Sequence, residues 1–589
     1  TISTTGDTVR LSGTTTIIGD LTVENGGLFG ADNAAGNDSL TVNGTFSVNE
    51  GGSFVSESDS FYVFLPGNNQ SHVSSGTIDT TDSGYLLLSF TGSSSSLTSA
   101  TADTLEADIF VSTGSSATIS GTKAVFGSVT VDTTGATLNI SVDHISNSVD
   151  VLAGGTIKFG SEMSIDSTLT LGAGSTADYT GVTVSLKDND IMLSATSTSV
   201  FTGAVSSFIN LRGQDGASTI DVNGASITGL TADSTVTSVS KLVSTGSIYF
   251  NDTNFISNDT LEIQDLSYFA DAVRISGSGP VIYTNASSIN ALDKNLTIDN
   301  LEFNSTSTGI TSDTLFVDSS YVHTAGNVEL FSSALEVASD FTFVDGAYTA
   351  GTGHVSFSPA GTKLLSADSA LTIPRVKMEA DNDTDTLKLA SGAALTVSDE
   401  FFLNKGIVSN SSDSTGALIT IADNASMFKT DSVSSFTSAP TFGDNISVAY
   451  SAADGKTFHS TGNELPDTVK VLTVNLSDDT DSLDVLSSVH VSDSLVFVKG
   501  DLKNASNVGL NASSSVFFSS SNQGVDSEFN AEAYNLYYQH TSGTRTVGDE
   551  FSSSATINAF TDGDLTQNSN ASVANLTVSA GKTLDLQTF

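Results

Sequence analysis

The sequence predicts an all-β protein, and the architecture it favours is a right-handed parallel β-helix (β-solenoid) with irregular turns. Three observations lead to this prediction. Short runs alternate apolar and polar residues, as at residues 40–48 and 128–132, and a period of two is typical of β-strands. Gly, Asn, Asp and Ser separate these runs, and such residues form turns. Related motifs recur about every 20 residues, a spacing that is typical of solenoids.

The alternating runs continue through most of the 589 residues, and helical periodicity is nearly absent. Val, Ile, Leu, Thr and Phe dominate the runs, and branched or aromatic side chains favour strands. The exception is residues 529–538, which fit either a short helix or an aromatic strand.

Two motifs recur at irregular intervals. The first, Leu-Thr-(Val/Ile/Leu), has some copies that follow each other closely and others that are widely separated. This motif starts at Leu21, Leu40, Leu169, Leu296, Leu371, Leu395, Leu472 and Leu576. The second motif, Asp-(Ser/Thr)-Leu-x-aliphatic, starts at Asp38, Asp259, Asp313, Asp385, Asp481 and Asp493.

A longer duplication lies in the C-terminal half. Residues 383–406 match residues 479–500 with an offset of 96 that falls to 94 after a two-residue deletion. We therefore predict two solenoid segments, 1–280 and 281–589, the second of which contains the duplication. A repeat of this length also fits tandem β-sandwich domains, which remain the alternative. The presence of only six prolines argues against a string of linkers between such domains.

Composition excludes several classes of function. The formal net charge of −46 argues against binding to nucleic acid or to an anionic membrane through bulk electrostatics. The absence of cysteine excludes disulfides, thiolate metal sites and a cysteine nucleophile. No apolar run is long enough to form a transmembrane helix. Because the chain begins at Thr1, we interpret it as a mature form or a fragment.

Residues 465–502 and 573–589 resemble the repeats of large secreted β-helical surface proteins. Such repeats are abundant in Bacteroidota-type bacteria. Similar textures occur in autotransporter passengers and in filamentous-haemagglutinin-like adhesins. The resemblance covers most of the chain, but its motifs have low specificity. It implies a secreted, extracellular or cell-surface location and implies no catalytic residue.

No catalytic or cofactor-binding residue is predicted. No two of the seven histidines lie within five residues, and the nucleophile-elbow, phosphate-loop and dinucleotide motifs are absent. Glycoside hydrolysis needs two positioned carboxylates, and Asp is too common here for any pair to stand out. We therefore expect a protein that is not an enzyme. A polysaccharide-degrading β-helix is the third-ranked function.

Two kinds of surface site are left open. Asp381, Asp383 and Asp385 have the alternate spacing of a calcium loop, although Thr386 stands where an EF-hand loop has glycine. The Asp-(Ser/Thr)-aliphatic triplet resembles an O-glycan acceptor and occurs more often than composition predicts. Its hydroxyl residues include Thr104, Thr260, Thr314, Thr386 and Ser482. Turn chemistry explains the triplets equally well, and a solvated acidic turn is the favoured interpretation of the three aspartates.

Strand-like sequence extends to both ends of the chain, at residues 14–23 and 584–589. Because an uncovered solenoid end is an open template for another strand, we expect copies of the chain to pair head to tail. The predicted function is therefore a self-assembling filament, sheath or surface layer. A fragment of a longer chain explains the ends equally well. A surface adhesin stalk that binds glycans or cells is the alternative function.

Overall fold

A computed structural model shows a parallel β-solenoid of about 22 turns in which 61% of the residues are in strands. The only helical element among the described residues is the 3-10 turn Ala505–Asn507. The structure describes residues 1–2, 6–31, 37–56, 60–80, 85–99, 105–121, 127–142, 144–145, 147–161, 163–166, 169–172, 174–179, 184–186, 190–193, 198–201, 205–213, 218–221, 226–232, 236–238, 241–250, 254–270, 273–285, 287–349, 351–410, 418–451, 458–551, 555–567 and 573–586.

The chain forms two compact units, Thr1–Asn300 and Leu301–Phe589. The strands that lie wholly in the first unit are Thr8–Leu11, Thr14–Ile17, Leu21–Val23, Leu28–Ala31, Asn37–Val42, Phe46–Val48, Ser53–Ser56, Ser60–Leu65, Ser71–Ser74, Thr77–Thr80, Leu86–Phe90, Ser95–Ser99, Asp108–Val111, Ser116–Gly121, Val129–Val131, Thr137–Ser141, His144–Ile145, Val149–Val151, Thr156–Phe159, Met163–Ile165, Leu169–Leu171, Thr176–Tyr179, Val184–Leu186, Asp190–Leu193, Thr198–Phe201, Val205–Gly213, Ser218–Asp221, Ser226–Ala232, Val236–Ser238, Leu242–Ser244, Ile248–Phe250, Asn254–Ser257, Leu261–Ile263, Leu266–Phe269, Arg274–Ser276 and Val281–Tyr283.

One long strand, Ser287–Glu329, begins in the first unit and ends in the second. Along its length it pairs in turn with several shorter strands. The remaining strands of the second unit are Ala334–Val337, Asp340–Phe343, Ala347–Thr349, His354–Phe357, Thr362–Ala367, Leu371–Glu379, Thr386–Leu389, Ala394–Lys405, Ile407–Ser409, Leu418–Ile421, Ser426–Lys429, Ser435–Phe436, Thr441–Phe442, Ser447–Tyr450, Phe458–Ser460, Thr468–Asn475, Ser482–Asp484, Val489–Lys499, Asp501–Lys503, Val508–Leu510, Ser515–Phe518, Asn530–Ala531, Ala533–Tyr538, Thr544–Val547, Thr556–Thr561, Asp564–Gln567, Asn575–Val578 and Leu584–Leu586.

In the first turns strands lie on three faces, other turns have described strands on only two, and the strands of successive turns pair in parallel. Near the start of the first unit, the register pairs Leu21 with Phe46 on one face. The length of a turn varies along the chain, from a short turn in which Leu138 pairs with Ile157 to a longer one in which Phe401 pairs with Met427. Pairing of successive turns in parallel confirms the predicted solenoid and excludes tandem β-sandwiches, whose strands pair antiparallel.

The period-two pattern decides which side chains enter the coil. In Ser60–Leu65 every second residue is buried, and the intervening ones face outward. The buried residues form ladders along the interior, as where Phe29 stacks on Phe54 at a ring-centroid distance of 5.4 Å. Stacked rings add attraction to the apolar area that they bury.

Residues 529–538, for which two interpretations stood open, contain the aromatic strand Ala533–Tyr538. Its Tyr534, Leu536 and Tyr538 are buried, whereas Asn535 and Tyr537 face outward. The alternation of buried and outward residues with a period of two therefore identifies this segment as a strand.

The corners use residues that tolerate a left-handed backbone. Asn69, Asn424 and Asn504 have φ near +60°, a conformation that Asn adopts more readily than most residues. Gly277 has φ +117°, and a Cβ there would lie 2.3 Å from the carbonyl oxygen of Ser257. Only glycine fits where the two turns approach so closely.

The two copies of the duplication fold alike. Leu371–Glu379 pairs with Ala394–Lys405, and Thr468–Asn475 pairs with Val489–Lys499. Each pair has two register shifts at matching positions, the second between Met378 and Glu379 in one copy and between Val474 and Asn475 in the other. The repeated sequence therefore encodes the same bulged pair of turns.

Four of the described histidines are buried, and two of them, His72 and His323, are fully enclosed. The backbone N–H of Phe46 donates a 3.0 Å hydrogen bond to Nδ1 of His72. His323 Nε2 lies 3.1 Å from the carbonyl oxygen of Gly326, a geometry in which an Nε2–H donates. Burial lowers the pKa of each imidazole to about 4, so both rings are neutral near pH 7.

We expect Ile373→Ala to destabilise the fold by about 2–5 kcal/mol, because Ile373 is fully buried and its truncation leaves a cavity. The neighbouring Thr372→Ala is the matched control, because Thr372 is exposed on the same strand. Its cost should stay below about 1 kcal/mol. Urea denaturation followed by circular dichroism measures both. Equal losses would contradict the assignment of inward and outward positions.

We expect acid to destabilise the protein through His72. In the unfolded chain a histidine takes up a proton near pH 6.5, whereas the folded chain resists protonation down to about pH 4. The unfolded state therefore binds more protons in this window, and the free energy of unfolding falls as pH drops from 6.5 to 4. His72→Phe should reduce the stability difference between pH 7 and pH 4.5 by about 2–3 kcal/mol. An unchanged difference would contradict a buried neutral histidine.

Candidate functional site

The last described turn of the second unit exposes side chains that earlier turns bury. Leu576 and Val578 continue two inward columns, and they are 39% and 37% exposed. The residues before them in those columns, Ala559 and Thr561, are 1% and 2% exposed. Among the described residues, no strand pairs with the outer edge of Asn575–Val578.

This edge opens onto an apolar cavity of about 270 Å³. Aliphatic and aromatic side chains form nearly all of its wall, and Gln567 is the only polar contributor among the described residues. The lining residues are Val547, Phe551, Leu565, Gln567, Val573, Leu576 and Leu584. Such a surface has no acid, base or nucleophile to offer, but it presents apolar area together with unpaired backbone groups. The partner that fits this surface is therefore another strand-forming segment.

The first turn of the first unit has a corresponding open edge. Thr8–Leu11 pairs with Leu28–Ala31, and among the described residues it has no strand on its other side. Val9 continues the inward column of Phe29, yet it is 37% exposed. The sequence prediction of strands at residues 14–23 is confirmed by Thr14–Ile17 and Leu21–Val23.

Two buried glutamates lie inside the second unit. Glu464 Oε1 lies 3.1 Å from Nζ of Lys429 and accepts hydrogen bonds from the Tyr450 hydroxyl at 3.0 Å and from the Gly462 N–H at 2.8 Å. Both charged side chains are at most 7% exposed. The carboxylate thus joins residues from separate turns of the coil.

The second carboxylate, Glu550, makes a similar set of contacts. Its Oε1 lies 3.3 Å from Nη2 of Arg545 and accepts a 2.9 Å hydrogen bond from the Tyr538 hydroxyl. Its Oε2 accepts a 3.0 Å hydrogen bond from the Gly548 N–H. The Arg545 guanidinium also lies 3.8 Å from the centroid of the Phe518 ring, a favourable cation–π geometry.

Sequence reasoning missed both centres, although two signals were present. Gly462–Asn463–Glu464–Leu465 and Gly548–Asp549–Glu550–Phe551 share the pattern Gly-(Asn/Asp)-Glu-(Leu/Phe). Lys429 and Arg545 also stand at inward positions of strands whose burial alternates. A cation at such a position requires a buried partner, because an unpaired buried charge is very costly.

A charged groove lies elsewhere on the second unit, and its cavity measures about 330 Å³. Thr352, His354, Arg375, Lys377, Glu400 and Phe402 line it. Arg375 Nε lies 2.9 Å from Asp399 and 3.3 Å from Glu400, and Lys377 pairs with Glu379. Hydrogen bonding to Asp399 raises the pKa of Arg375. Because its cations are already paired, the groove offers little free charge to a ligand.

The residues considered for calcium form a hydrogen-bonded turn. Asn382 donates from its backbone N–H and from Nδ2 to Oδ2 of Asp385, each at 3.0 Å. The hydrogen bond from Asn382 lowers the pKa of Asp385. Asp381 and Asp383 are exposed. Within the described part of the chain, no three His, Asp or Glu side chains converge as a metal site would require.

The acceptor triplets occupy different environments. Thr260, Thr314 and Thr386 are half-buried, whereas Ser482 is only 5% exposed and so is poorly placed for a glycan. Thr104 lies outside the described residues. Glycosylation of the three half-buried threonines stays a prediction.

Comparison with known protein families, curated proteins and solved structures finds no match for this chain. In the described residues, no helix has the length and apolar character needed to cross a membrane. The function must therefore be argued from the geometry of this chain.

We expect Glu550→Gln to cost about 3–5 kcal/mol, because it leaves the Arg545 charge buried without its partner. The double variant Arg545→Met/Glu550→Gln removes both charges and should recover much of this loss. Urea denaturation followed by circular dichroism measures Glu550→Gln, Arg545→Met and the double variant. A double variant as unstable as the sum of the two single variants would contradict the coupling.

Proposed function

We propose that the protein is a non-enzymatic extracellular structural protein that assembles with copies of itself, end to end, into a filament, sheath or surface layer. The observation that carries this proposal is the exposure of Leu576 and Val578 on a strand edge that has no partner within the described part of the chain. The extracellular location rests on the resemblance to secreted surface proteins.

End-to-end pairing continues the interactions that hold the solenoid together. The first turn of a second copy would bring Thr8–Leu11 and Thr14–Ile17, with inward-facing Val9, onto the last turn of the first copy. Its strands would form the same parallel hydrogen bonds that join successive turns within the chain. Such a heterologous contact leaves a new open edge at each step, so the assembly grows as a filament.

The alternative is a surface adhesin stalk that binds glycans or cells. A sugar ring packs best on an open aromatic face. On the outer surface, however, Tyr249 stacks on Tyr268 at 4.7 Å, and Phe402 stacks on Phe428 at 4.7 Å. Because each ring covers one face of its partner, less aromatic face is open to a sugar, and this favours the structural role over glycan binding.

The third function, polysaccharide degradation, has less support. Two carboxylates, Asp399 and Glu400, lie beside the charged groove, and both are paired with Arg375. Glycosidases instead keep one carboxylic acid and one carboxylate available to the scissile bond. The pairing supports a protein without catalytic activity.

We expect Leu576→Asp to weaken end-to-end association at least tenfold, because it places a carboxylate in the apolar contact and removes the burial of a leucine, worth about 1.5–3 kcal/mol. Sedimentation velocity should show large, concentration-dependent species for the unmodified chain and single chains for the variant. Thr566→Asp, which adds the same charge at an outward position of a nearby strand, is the matched control and should assemble normally.

Two results would contradict the proposal. One is an unmodified chain that sediments as single chains at every concentration. The other is a Leu576→Asp variant that assembles as well as Thr566→Asp does.

A further inference from the structure

One outer face of the second unit carries no charged side chain over eight successive strands, from Ser426–Lys429 to Asn575–Val578. Two outward columns form this uncharged face. The first runs from Ser426 to Asn575, and the second from Phe428 to Thr577. All sixteen positions are described, and they hold only Ser, Asn, Thr, Ala, Val, Phe and Tyr.

The same two columns do carry charge in the turns that come before this stretch. In the preceding turns the same two columns contain Glu336, Lys377, Arg375 and Glu400. Across the whole chain 15% of residues are charged, so about two charged residues would be expected among sixteen positions. Charged residues return at the rim, where Asp493, Lys499 and Asp562 are exposed. An uncharged centre with a charged rim is typical of an interaction surface.

Two hydrogen bonds and one aromatic stack link neighbouring side chains within this face. Asn558 Nδ2 donates to Oδ1 of Asn535 at 3.2 Å, and Asn575 Nδ2 donates to Oδ1 of Asn558 at 2.8 Å. Beside this amide ladder, Tyr537 stacks between Phe517 and Phe560 at 4.8 Å on each side. A partner that covers this part of the face leaves the amide hydrogen bonds intact. Amide and aromatic ladders of this kind also occur at dry interfaces between stacked sheets.

We propose that this uncharged face is a lateral dimerisation surface, on which the same face of a second copy of the chain packs. Lateral dimerisation adds a second surface to the proposed self-assembly, and it does not depend on pairing at the ends.

Three considerations select a second copy as the occupant. With a net charge of −46, two copies repel each other wherever acidic residues face one another, and this face avoids that repulsion. Both copies have the same strand spacing of about 4.8 Å, so their ladders match along the whole contact. A glycan would instead need free amide donors and open ring faces, which the ladders largely occupy.

The size of the face sets the expected affinity. Eight strands about 4.8 Å apart extend over about 35 Å. With two columns and their flanks, each copy would contribute roughly 500 Å², and the total of about 1,000 Å² is near the lower limit for a specific interface. We therefore expect a reversible, concentration-dependent dimer with twofold symmetry, in which strands near the middle of the face lie close to the axis.

The test uses the 589-residue chain with Leu576→Asp, so that pairing at the ends does not obscure lateral pairing. Sedimentation equilibrium up to about 100 µM should show a reversible dimer, since weak interfaces of this size are populated at such concentrations. Adding Ser494→Glu and Ser515→Glu near the middle of the face should raise the dissociation constant at least tenfold. Thr544→Glu and Thr546→Glu, outward on another sheet, are the matched control and should leave it unchanged.

A charge-reversal mixture makes the test independent of small folding effects. Ser494→Lys/Ser515→Lys alone should also remain monomeric, whereas an equimolar mixture with the Glu pair should form heterodimers.

Three results would overturn the proposal: a monomeric parent chain at the highest concentration tested, equal dissociation constants for the face and control variants, or no heterodimer in the mixture. A monomeric parent whose binding to insoluble cellulose or chitin is lost on Ser494→Glu/Ser515→Glu would assign the face to a polysaccharide instead. A chain that does not assemble end to end can still form the lateral dimer, so either proposal can fail without the other.

Discussion

Parallel pairing of each turn with the next is the interaction on which the rest of the structure depends. A strand such as Ser515–Phe518 satisfies its backbone only through the turns on either side of it. The same stacking buries Val516 and Phe518 between equivalent residues of those turns. Because each turn depends on its neighbours, an uncovered turn is incomplete, and the exposure of Leu576 and Val578 follows from this dependence.

The sequence allowed the fold class, the approximate length of a turn and the duplicated pair of turns to be predicted, because these depend on local alternation and on repeated corner residues. The buried pairs Lys429–Glu464 and Arg545–Glu550 could not be predicted from these local patterns. Their partners are 35 and five residues apart in sequence, and only the register of the coil shows which residues face each other. The charge-free columns were hidden for the same reason, since neighbouring members of a column are separated in sequence by a full turn of the coil.

The inward apolar ladders and the buried ion pairs have complementary effects on the solenoid. The apolar ladders stabilise the coil without selecting a register along it, because many turns present similar Leu, Val and Phe residues. A buried carboxylate accepts hydrogen bonds from specific tyrosine and glycine partners, so Glu464 and Glu550 favour one arrangement of the turns around them. We infer that each centre fixes the register of the turns around it, and that Glu550, next to Phe551 of the edge cavity, does so near the edge where assembly is proposed.

The central claim is that this edge joins one chain to the next. Negative-stain electron microscopy of the unmodified chain beside the Leu576→Asp variant tests it most directly. The account predicts linear particles many chains long for the unmodified protein and single chains for the variant. Single chains in both samples, or equally long particles in both, would contradict it.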